Sequence, residues 1–240
     1  MDEIKELQTL INNAKKIVFF GGAGVSTESG IPDFRSEKGL YKLKSKYGVP
    51  YETILSHDYY ENNTLTFFKF YREFMINTAA QPNQAHKYLA KLEKRKDLWI
   101  ITQNIDGLHQ LAGSKNVIEL HGSIHRNYCE KCMKLYSLDE ILKKDIIPKC
   151  DKCGGIIKPD VVLYQEPLDE RVITKAIIKI QEADLLIVAG TSLNVYPAAG
   201  LINYFFGDNI VLINKDKLNI TKQIKLQINK PIGELFSKLN

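Results

Sequence analysis

Short apolar runs alternate along the chain with longer stretches in which apolar residues recur at helical spacing. The helical stretches precede or separate the runs, at residues 2–16, 83–96 and 169–183. Runs that are apolar on both faces are typical of strands buried in a parallel sheet. Four such runs are KIVFFGG (16–22), DLWIIT (97–102), DLLIVAGTS (184–192) and NIVLIN (209–214). The alternation predicts an α/β fold built on a doubly wound, Rossmann-like parallel sheet with right-handed crossovers.

Two stretches interrupt this alternation. One is rich in aromatic residues and the other carries every cysteine of the chain. We therefore predict that residues 1–35, 81–124 and 159–240 form the Rossmann-like domain. Residues 36–80 and 125–158 are predicted to form a smaller inserted domain.

Composition and charge narrow the class of protein. The chain has 240 residues, 44% of them hydrophobic, which is enough to bury the core of one domain or of a large and a small one. The net charge of +5 is spread without a dense Lys/Arg block, so we expect no specific nucleic-acid binding. No apolar run approaches the roughly 18 to 20 residues of a membrane span. The N-terminal MDEIKELQTL is acidic, unlike a signal peptide, and we expect a cytoplasmic protein.

Polar or glycine-rich sequence follows three of the apolar runs. The three segments are Gly22-Ala23-Gly24, Gln103-Asn104-Ile105-Asp106 and Gly190-Thr191-Ser192. In doubly wound sheets, ligands bind beyond the carboxyl ends of the strands. We therefore expect these three segments to line one crevice.

The first of these segments begins like a dinucleotide-binding turn and then departs from it. Thr27 stands where the third glycine of G-x-G-x-x-G belongs, and no acidic residue follows about 20 positions later to bind ribose hydroxyls. A loop with Pro32, Asp33, Phe34 and Arg35 comes next. Both departures disfavour a redox enzyme that transfers hydride.

The cysteines form two C-x-x-C pairs with seventeen residues between them, which is the spacing of a zinc ribbon. They are Cys129, Cys132, Cys150 and Cys153. Four thiolates complete a closed tetrahedral site, so the predicted zinc is structural. One alternative is a set of two redox pairs. Another uses His121 and His125 as ligands, but Gly122-Ser123 between them disfavours the helix that would align the two rings.

Five motifs occur in a fixed order: GAGVSTESGIPDFRS, TQNIDGLHQLAG, ELHGS, the two C-x-x-C pairs and AGTSLNVYPAAG. From about Ile17 to the last strand, the chain closely resembles the sirtuin family of NAD-dependent protein lysine deacylases. The resemblance implies that NAD is a co-substrate whose nicotinamide is released while the acyl group of an acyl-lysine passes to ADP-ribose. An NAD-consuming hydrolase or an ADP-ribosyltransferase on the same scaffold is the alternative. A non-catalytic NAD-sensing protein is disfavoured because the motif residues His121, Asn104 and Asp106 are all present.

The resemblance also implies a set of NAD contacts. The amides of residues 22–24 would hold the pyrophosphate at the N-terminus of a following helix. A loop at about residues 29–44 would fold over the nicotinamide ribose, with Phe34 shielding the anomeric carbon. The implied contacts are Gly22, Ala23, Gly24, Thr27, Asp33, Phe34, Arg35, Gln103, Asn104, Ile105, Asp106, His121, Gly190, Thr191, Ser192, Asn214 and Ile228, the last beside the adenine.

By the same resemblance, Asn104 and Asp106 bind the nicotinamide carboxamide and His121 is the catalytic base. An imidazole of near-neutral pKa can take a proton from a ribose hydroxyl at physiological pH. Without the resemblance, the sequence Asn-Ile-Asp-Gly also suits an ordinary turn. Of the other histidines, we expect His86 to pack or cap a helix and His109 to support this turn.

The acyl-lysine protein or peptide is expected to bind as an added strand. Its implied partners are Val162, Leu163 and Tyr164 on one side and Asn194 and Val195 on the other. Gln165 departs from the commoner family pattern, which has glycine between a phenylalanine and a glutamate.

The acyl group is expected to meet Phe68 and Tyr71. Family members that prefer succinyl or malonyl groups carry Tyr-x-x-Arg there, whereas Arg72 lies one place out of register. A carboxylate without its arginine is costly to desolvate, so we predict a preference for neutral acyl groups.

Overall fold

The computed structural model describes residues 2–34, 39–40, 46–215 and 222–240. Within these residues, nine strands form two sheets. The strands are β1 (Lys16–Gly21), β2 (Asp97–Thr102), β3 (Val117–Glu119), β4 (Gly122–Cys129), β5 (Leu135–Ser137), β6 (Ile157–Val161), β7 (Leu185–Ala189), β8 (Ile210–Ile213) and β9 (Leu226–Ile228). The α-helices of the same residues are α1 (Glu3–Asn13), α2 (Tyr51–Ile54), α3 (His57–Asn62), α4 (Thr64–Phe70), α5 (Gln84–Glu93), α6 (Leu108–Leu111), α7 (Leu138–Leu142), α8 (Glu170–Glu182) and α9 (Ile232–Phe236).

The larger sheet has six strands in the order β3-β2-β1-β7-β8-β9, and every neighbouring pair is parallel. The four apolar runs form β1, β2, β7 and β8, as the pattern predicts. From β1 the chain adds strands on one side and from β7 on the other, so the order reverses between them. Ligands of such sheets bind at this switch point, beyond the carboxyl ends of the two strands.

Both faces of the parallel sheet are covered. Phe19 of β1 packs into a core with α1, α5 and α9, and its neighbour Phe20 packs on the opposite face with α8. Successive residues of a strand point to opposite faces, which is why the strand must be apolar throughout. The predicted doubly wound α/β class is therefore confirmed.

The helices around the sheet begin at side-chain caps. Asp2 and Asp169 accept hydrogen bonds from the first turns of α1 and α8. Asn83 and His86 form a capping box at the start of α5, so His86 both caps and packs. None of the helices in the described ranges is long and apolar enough to cross a membrane.

The second sheet is antiparallel, in the order β5-β4-β6, and it packs with α2, α3, α4 and α7 in a core of its own. That core contains Phe67 and Tyr60 from the aromatic stretch and Cys129 and Tyr136 from the cysteine-bearing stretch. The sheet begins at Gly122 and ends beyond residue 158, slightly outside the predicted insert. The proposed domain boundaries stay a prediction, although one core joins the two inserted segments.

Candidate active site

The turn after β1 packs directly against the loop after β7. The amides of Gly22 and Gly24 donate to the carbonyl oxygens of Ala189 and Gly190, at 3.1 and 2.7 Å. A Cβ on Gly24 would lie 2.7 Å from Gly190 Cα, so glycine permits this contact. The two amides are thus used within the protein, and the expectation that all three would hold a pyrophosphate is wrong. Ala23 is the residue of the turn whose amide takes no part in this pairing.

The helix expected after this turn is absent from the described residues. Two single 3₁₀ turns, Ala23–Val25 and Thr27–Ser29, follow β1 instead, and Thr27 Oγ1 donates to the Gly24 carbonyl at 3.0 Å. Gly30 then adopts a left-handed φ of 84° and ends the second turn. No α-helix dipole is therefore available to the phosphates at this position.

A hydrogen-bonded group of three side chains joins the turn to the segment after β2. Ser26 Oγ donates to Asp106 Oδ2 at 2.6 Å, and Asn104 Nδ2 donates to Ser26 Oγ at 3.0 Å. The Leu108 amide donates to the other oxygen, Asp106 Oδ1, at 2.9 Å. Burial raises the pKa of Asp106, and the hydrogen bonds from Ser26 and Leu108 oppose that rise. The structure thus brings Asn104 and Asp106 together through Ser26.

Ser26 is the residue that the sequence analysis missed. Its side chain is 1% exposed, although serine in a glycine-rich turn is usually exposed to solvent. In the sequence, Ser26 lies between the glycines and the polar loop of one motif. That position is compatible with a buried polar contact and equally with an ordinary turn.

His121 follows β3 and its orientation is fixed by the main chain. Its Nδ1 lies 2.8 Å from the Gln103 carbonyl oxygen. A carbonyl can only accept, so Nδ1 carries the proton and Nε2 keeps a free lone pair. Burial lowers the pKa of His121, and the hydrogen bond to Gln103 opposes this shift. Gln103 Nε2 donates in turn to Thr191 Oγ1 at 3.1 Å, which links His121 to the loop after β7.

Two further histidines support the Asp106–Leu108 turn. His125 Nε2 lies 3.0 Å from the Asp106 carbonyl oxygen, and a Cβ on Gly107 would lie 2.6 Å from the His125 ring. His109 is buried behind the turn, with its ring centroid 4.6 Å from that of His86. Burial lowers the pKa of His86 to about 4, and it lowers the pKa of His109 well below its usual value.

The other predicted NAD contacts lie in different surroundings, and not all of them face the site. Phe34 is half-buried against the core of the smaller sheet, and Arg35 lies outside the described residues. Asn214 follows β8, where its amide donates to the Ile228 carbonyl at 3.1 Å. The Ile228 side chain is fully buried in the main core, so the structure does not support its predicted contact with adenine.

The predicted peptide-binding segment after β6 has its N–H groups paired. The amide of Val162 donates to His121 O at 3.0 Å, that of Tyr164 to Leu55 O at 3.0 Å, and that of Leu163 to Glu166 Oε2 at 2.9 Å. These three N–H groups are therefore each already bound within the chain, and the contacts of Val162, Leu163 and Tyr164 with a peptide stay a prediction. On the other side, the Val195 carbonyl accepts from the Ala199 amide at 2.8 Å, and its neighbour Asn194 is exposed in the same loop.

Phe68 and Tyr71 are both 1% exposed and lie in the core of the smaller sheet. The Tyr71 hydroxyl has no hydrogen-bond partner among the described residues. Arg72 is the basic residue next to Tyr71 in the chain, and its position shows whether its charge lies beside these two side chains.

Arg72 is bound elsewhere. Its Nη2 donates to the carbonyl oxygens of Ile141, Lys144 and Asp145 at 3.0, 3.2 and 2.6 Å, around the end of α7. A cation at the C-terminal end of a helix is favourably placed for these carbonyls. The guanidinium therefore joins the aromatic helices to the cysteine-bearing module.

The four predicted zinc ligands lie together. Their sulfur atoms are all within 4.8 Å of one another, with 3.4 Å between Cys129 and Cys153 and 3.6 Å between Cys132 and Cys150. A tetrahedral zinc with sulfur ligands at about 2.3 Å separates the sulfurs by about 3.8 Å, so the cluster fits the ion. Neither His121 nor His125 belongs to this cluster of possible ligand atoms, which consists of the four cysteines among the described residues, so the histidine alternative is not supported.

A family model, curated relatives and solved structures all relate the chain to the same family of proteins. Residues 22–197 match the model of the Sir2 family. The chain is 58% identical to an NAD-dependent protein deacetylase of Clostridium acetobutylicum, over 98% of this chain and 97% of that protein. A Sir2 structure with a deacetylated p53 peptide and 3′-O-acetyl ADP ribose aligns with a TM-score of 0.89 and 37% identity. A Sir2 complex with a p53 peptide and NAD⁺ aligns with a TM-score of 0.86 and 37% identity, and each alignment covers 98% of this chain and 96% of the other.

The match covers nearly the full length of the chain. It includes the three features described above: the parallel sheet with its switch point, the polar group at the carboxyl ends of the strands and the four-cysteine cluster. The chain belongs to the Sir2 family.

Proposed function

We propose that this chain is an NAD-dependent protein lysine deacylase that transfers the acyl group of acyl-lysine to ADP-ribose and releases nicotinamide. Membership of the Sir2 family and the names of its relatives support the proposal. The single observation that carries it is the state of His121. Its Nδ1 is bound to the Gln103 carbonyl, so Nε2 is available as a base.

The environment of His121 suits this role. A base must be unprotonated to act, and burial lowers the pKa of His121, which keeps the ring neutral at physiological pH. Bound NAD supplies a ribose hydroxyl and an electrophilic anomeric carbon. His121 Nε2 would take the proton of that hydroxyl, while the Gln103 carbonyl stabilises the imidazolium that results.

Asn104 and Asp106 would hold the nicotinamide carboxamide before it leaves. The amide and the carboxylate together offer both a donor and an acceptor, as a carboxamide requires. Ser26 keeps them in position by bonding to both side chains. Ser26 is buried and Asn104 and Asp106 are half-buried, so their hydrogen bonds are partly shielded from water and can orient the leaving group.

The peptide is proposed to bind as an added strand between the segment after β6 and the loop after β7. Structures of related Sir2 proteins contain p53 peptides, which supports a peptide site of this kind. The N–H groups of residues 162–164 are paired, and the carbonyl oxygens of Leu163 and Tyr164 already accept from the amides of Glu166 and His57. The peptide is therefore proposed to pair with the main-chain groups of the next residue, which have no partner among the described residues.

The acyl pocket is proposed to favour acetyl and longer neutral acyl groups. Read from Phe68, the Tyr-x-x-Arg pattern has Tyr71 in the arginine position. Read from Tyr71, it has Phe74 there, so neither register supplies the arginine. Arg72 is held by three carbonyl oxygens near α7 and would have to give up those bonds to meet a carboxylate.

His121→Gln tests the proposal. Glutamine can keep the hydrogen bond to the Gln103 carbonyl through its amide but cannot act as a base. We expect unchanged melting temperature and NAD binding, with NAD-dependent deacetylation of an acetyl-lysine peptide reduced about a hundredfold or more. A folded variant with near-normal turnover would show that His121 is not the base.

A further inference from the structure

Gln165 has an unusual backbone conformation for its residue type. Its φ is 76°, in the left-handed region that favours glycine and is rarely adopted by other residues. A strained conformation persists only where the surrounding structure holds it, and such sites often serve function. The contacts of Gln165 therefore show what holds this turn.

Asp58 holds the Gln165 side chain at both ends of its amide. Gln165 Oε1 accepts from the Asp58 amide at 3.0 Å, and Gln165 Nε2 donates to Asp58 Oδ2 at 2.8 Å. Asp58 lies in the first turn of α3, which Ser56 caps. The turn after β6 is thus attached to the start of a helix in the smaller domain. We call this reciprocal pair of hydrogen bonds the Asp58–Gln165 clamp.

The residues on either side of Gln165 are fixed by other bonds. Leu163 and Glu166 pair with each other, since the Glu166 amide donates to the Leu163 carbonyl at 3.0 Å and the Glu166 carboxylate accepts from the Leu163 amide. Lys158 and His57 hold that carboxylate, at 3.2 and 3.0 Å. Among the described residues, nothing pairs with the main-chain N–H or C=O of Gln165, and its side chain is exposed.

We propose that the Asp58–Gln165 clamp presents the main-chain N–H and C=O of Gln165 to an incoming acyl-lysine peptide. Asp58 and Gln165 are thereby positioning residues for the peptide. The inference rests on the proposed function, because it assumes an extended peptide that pairs with this edge. Fixing both groups in advance lowers the entropy lost on binding, so the clamp strengthens peptide binding without touching the reacting atoms.

Steady-state kinetics with an acetyl-lysine peptide at saturating NAD tests the clamp, with peptide binding measured in parallel by fluorescence anisotropy. Gln165→Ala removes both bonds of the clamp, whereas Asp58→Ala removes the bond to Asp58 Oδ2 and keeps the bond from the main-chain amide of residue 58. Asp58→Asn keeps an acceptor oxygen for Gln165 Nε2 and serves as the conservative variant. Glu61→Ala is the matched control, since it removes an exposed acid from the same helix without a contact to the turn.

We expect Asp58→Ala and Gln165→Ala each to raise KM and Kd for the peptide about five- to tenfold, the effect of one or two hydrogen bonds. Their kcat, their KM for NAD and their melting temperature should stay within about twofold or a few degrees of wild type. Asp58→Asn should restore most of the affinity. The double variant should bind the peptide no more weakly than Gln165→Ala alone, because that substitution already removes both bonds of the clamp.

Unchanged peptide KM in both alanine variants would overturn the inference. So would a joint fall of kcat, both KM values and melting temperature, which indicates a merely structural role. If the wild-type protein binds the peptide but does not deacetylate it, the proposed function fails, and the Kd values still decide the inference. Wild-type protein that neither binds nor deacetylates the peptide would refute both.

Discussion

Replacing Ser26 by alanine removes a side chain that joins the two proposed nicotinamide-binding residues. Its hydroxyl donates to Asp106 at 2.6 Å and accepts from Asn104 at 3.0 Å. In Ser26→Ala, Asp106 Oδ2 and the Asn104 amide would lose a partner in a buried site. The Leu108 amide would still hold the other carboxylate oxygen.

The size of the effect follows from these contacts. A hydrogen bond to a charged group contributes about 1.5 to 3 kcal/mol, and burial of Asp106 places this one above the usual neutral bond. Each 1.4 kcal/mol corresponds to about a tenfold change, so nicotinamide cleavage should slow roughly 10- to 100-fold. The pKa of Asp106 should also rise further, since the Ser26 hydrogen bond is one of the contacts that lower it.

Exchange of labelled nicotinamide into NAD, in the presence of an acetyl-lysine peptide, reports on the cleavage step apart from the later acyl transfer. Ser114→Ala is the matched control, because Ser114 is another buried serine and its hydroxyl has no partner among the described residues. We expect slow exchange only in Ser26→Ala. A folded Ser26→Ala protein that exchanges nicotinamide within twofold of wild type would refute the role given to this serine.

Three further predictions concern the zinc, the acyl group and the buried histidines. Cys150→Ser should release one zinc per chain and lower the melting temperature, because metal binding supplies folding free energy; metal-free protein of unchanged stability would argue against a structural zinc. Acetyl-lysine should exceed succinyl-lysine in kcat/KM by on the order of a hundredfold, since Arg72 is bound near α7, and a preference for succinyl would show that the arginine reaches the pocket. His86 has a pKa of about 4 in the folded chain and about 6.5 when unfolded, so the unfolded state binds protons first as pH falls and about 2 kcal/mol of stability is lost between pH 7.5 and 5. Urea unfolding should show a weaker pH dependence in His86→Gln, and parallel curves for the two proteins would contradict this origin.

The sequence predicts those features of the structure that one local pattern determines. Buried parallel strands need residues that are apolar on both faces, so the run ending at Gly21 could be identified directly. The cysteine spacing was equally informative, because four thiolates need a common ion. The helix predicted after β1 is wrong, because two short 3₁₀ turns stand there and Gly30, followed by Pro32, ends the second.

Other features depend on contacts between distant segments and have no local signature. The amide of Gly24 is paired with Gly190, which the motif containing Gly24 does not reveal. Arg72 is attracted by carbonyl oxygens at the end of a helix about 70 residues later. Gln165 was visible as a departure from glycine, but only the structure places Asp58 beside it.

The products formed from NAD and an acetyl-lysine peptide test the central claim most directly. Mass spectrometry of one reaction mixture can follow nicotinamide, the peptide and every ADP-ribose species together. Acyl transfer to ADP-ribose predicts that nicotinamide, deacetylated peptide and O-acetyl-ADP-ribose appear in equal amounts. Free ADP-ribose beside a peptide that is still acetylated, or a peptide that carries ADP-ribose, would contradict it.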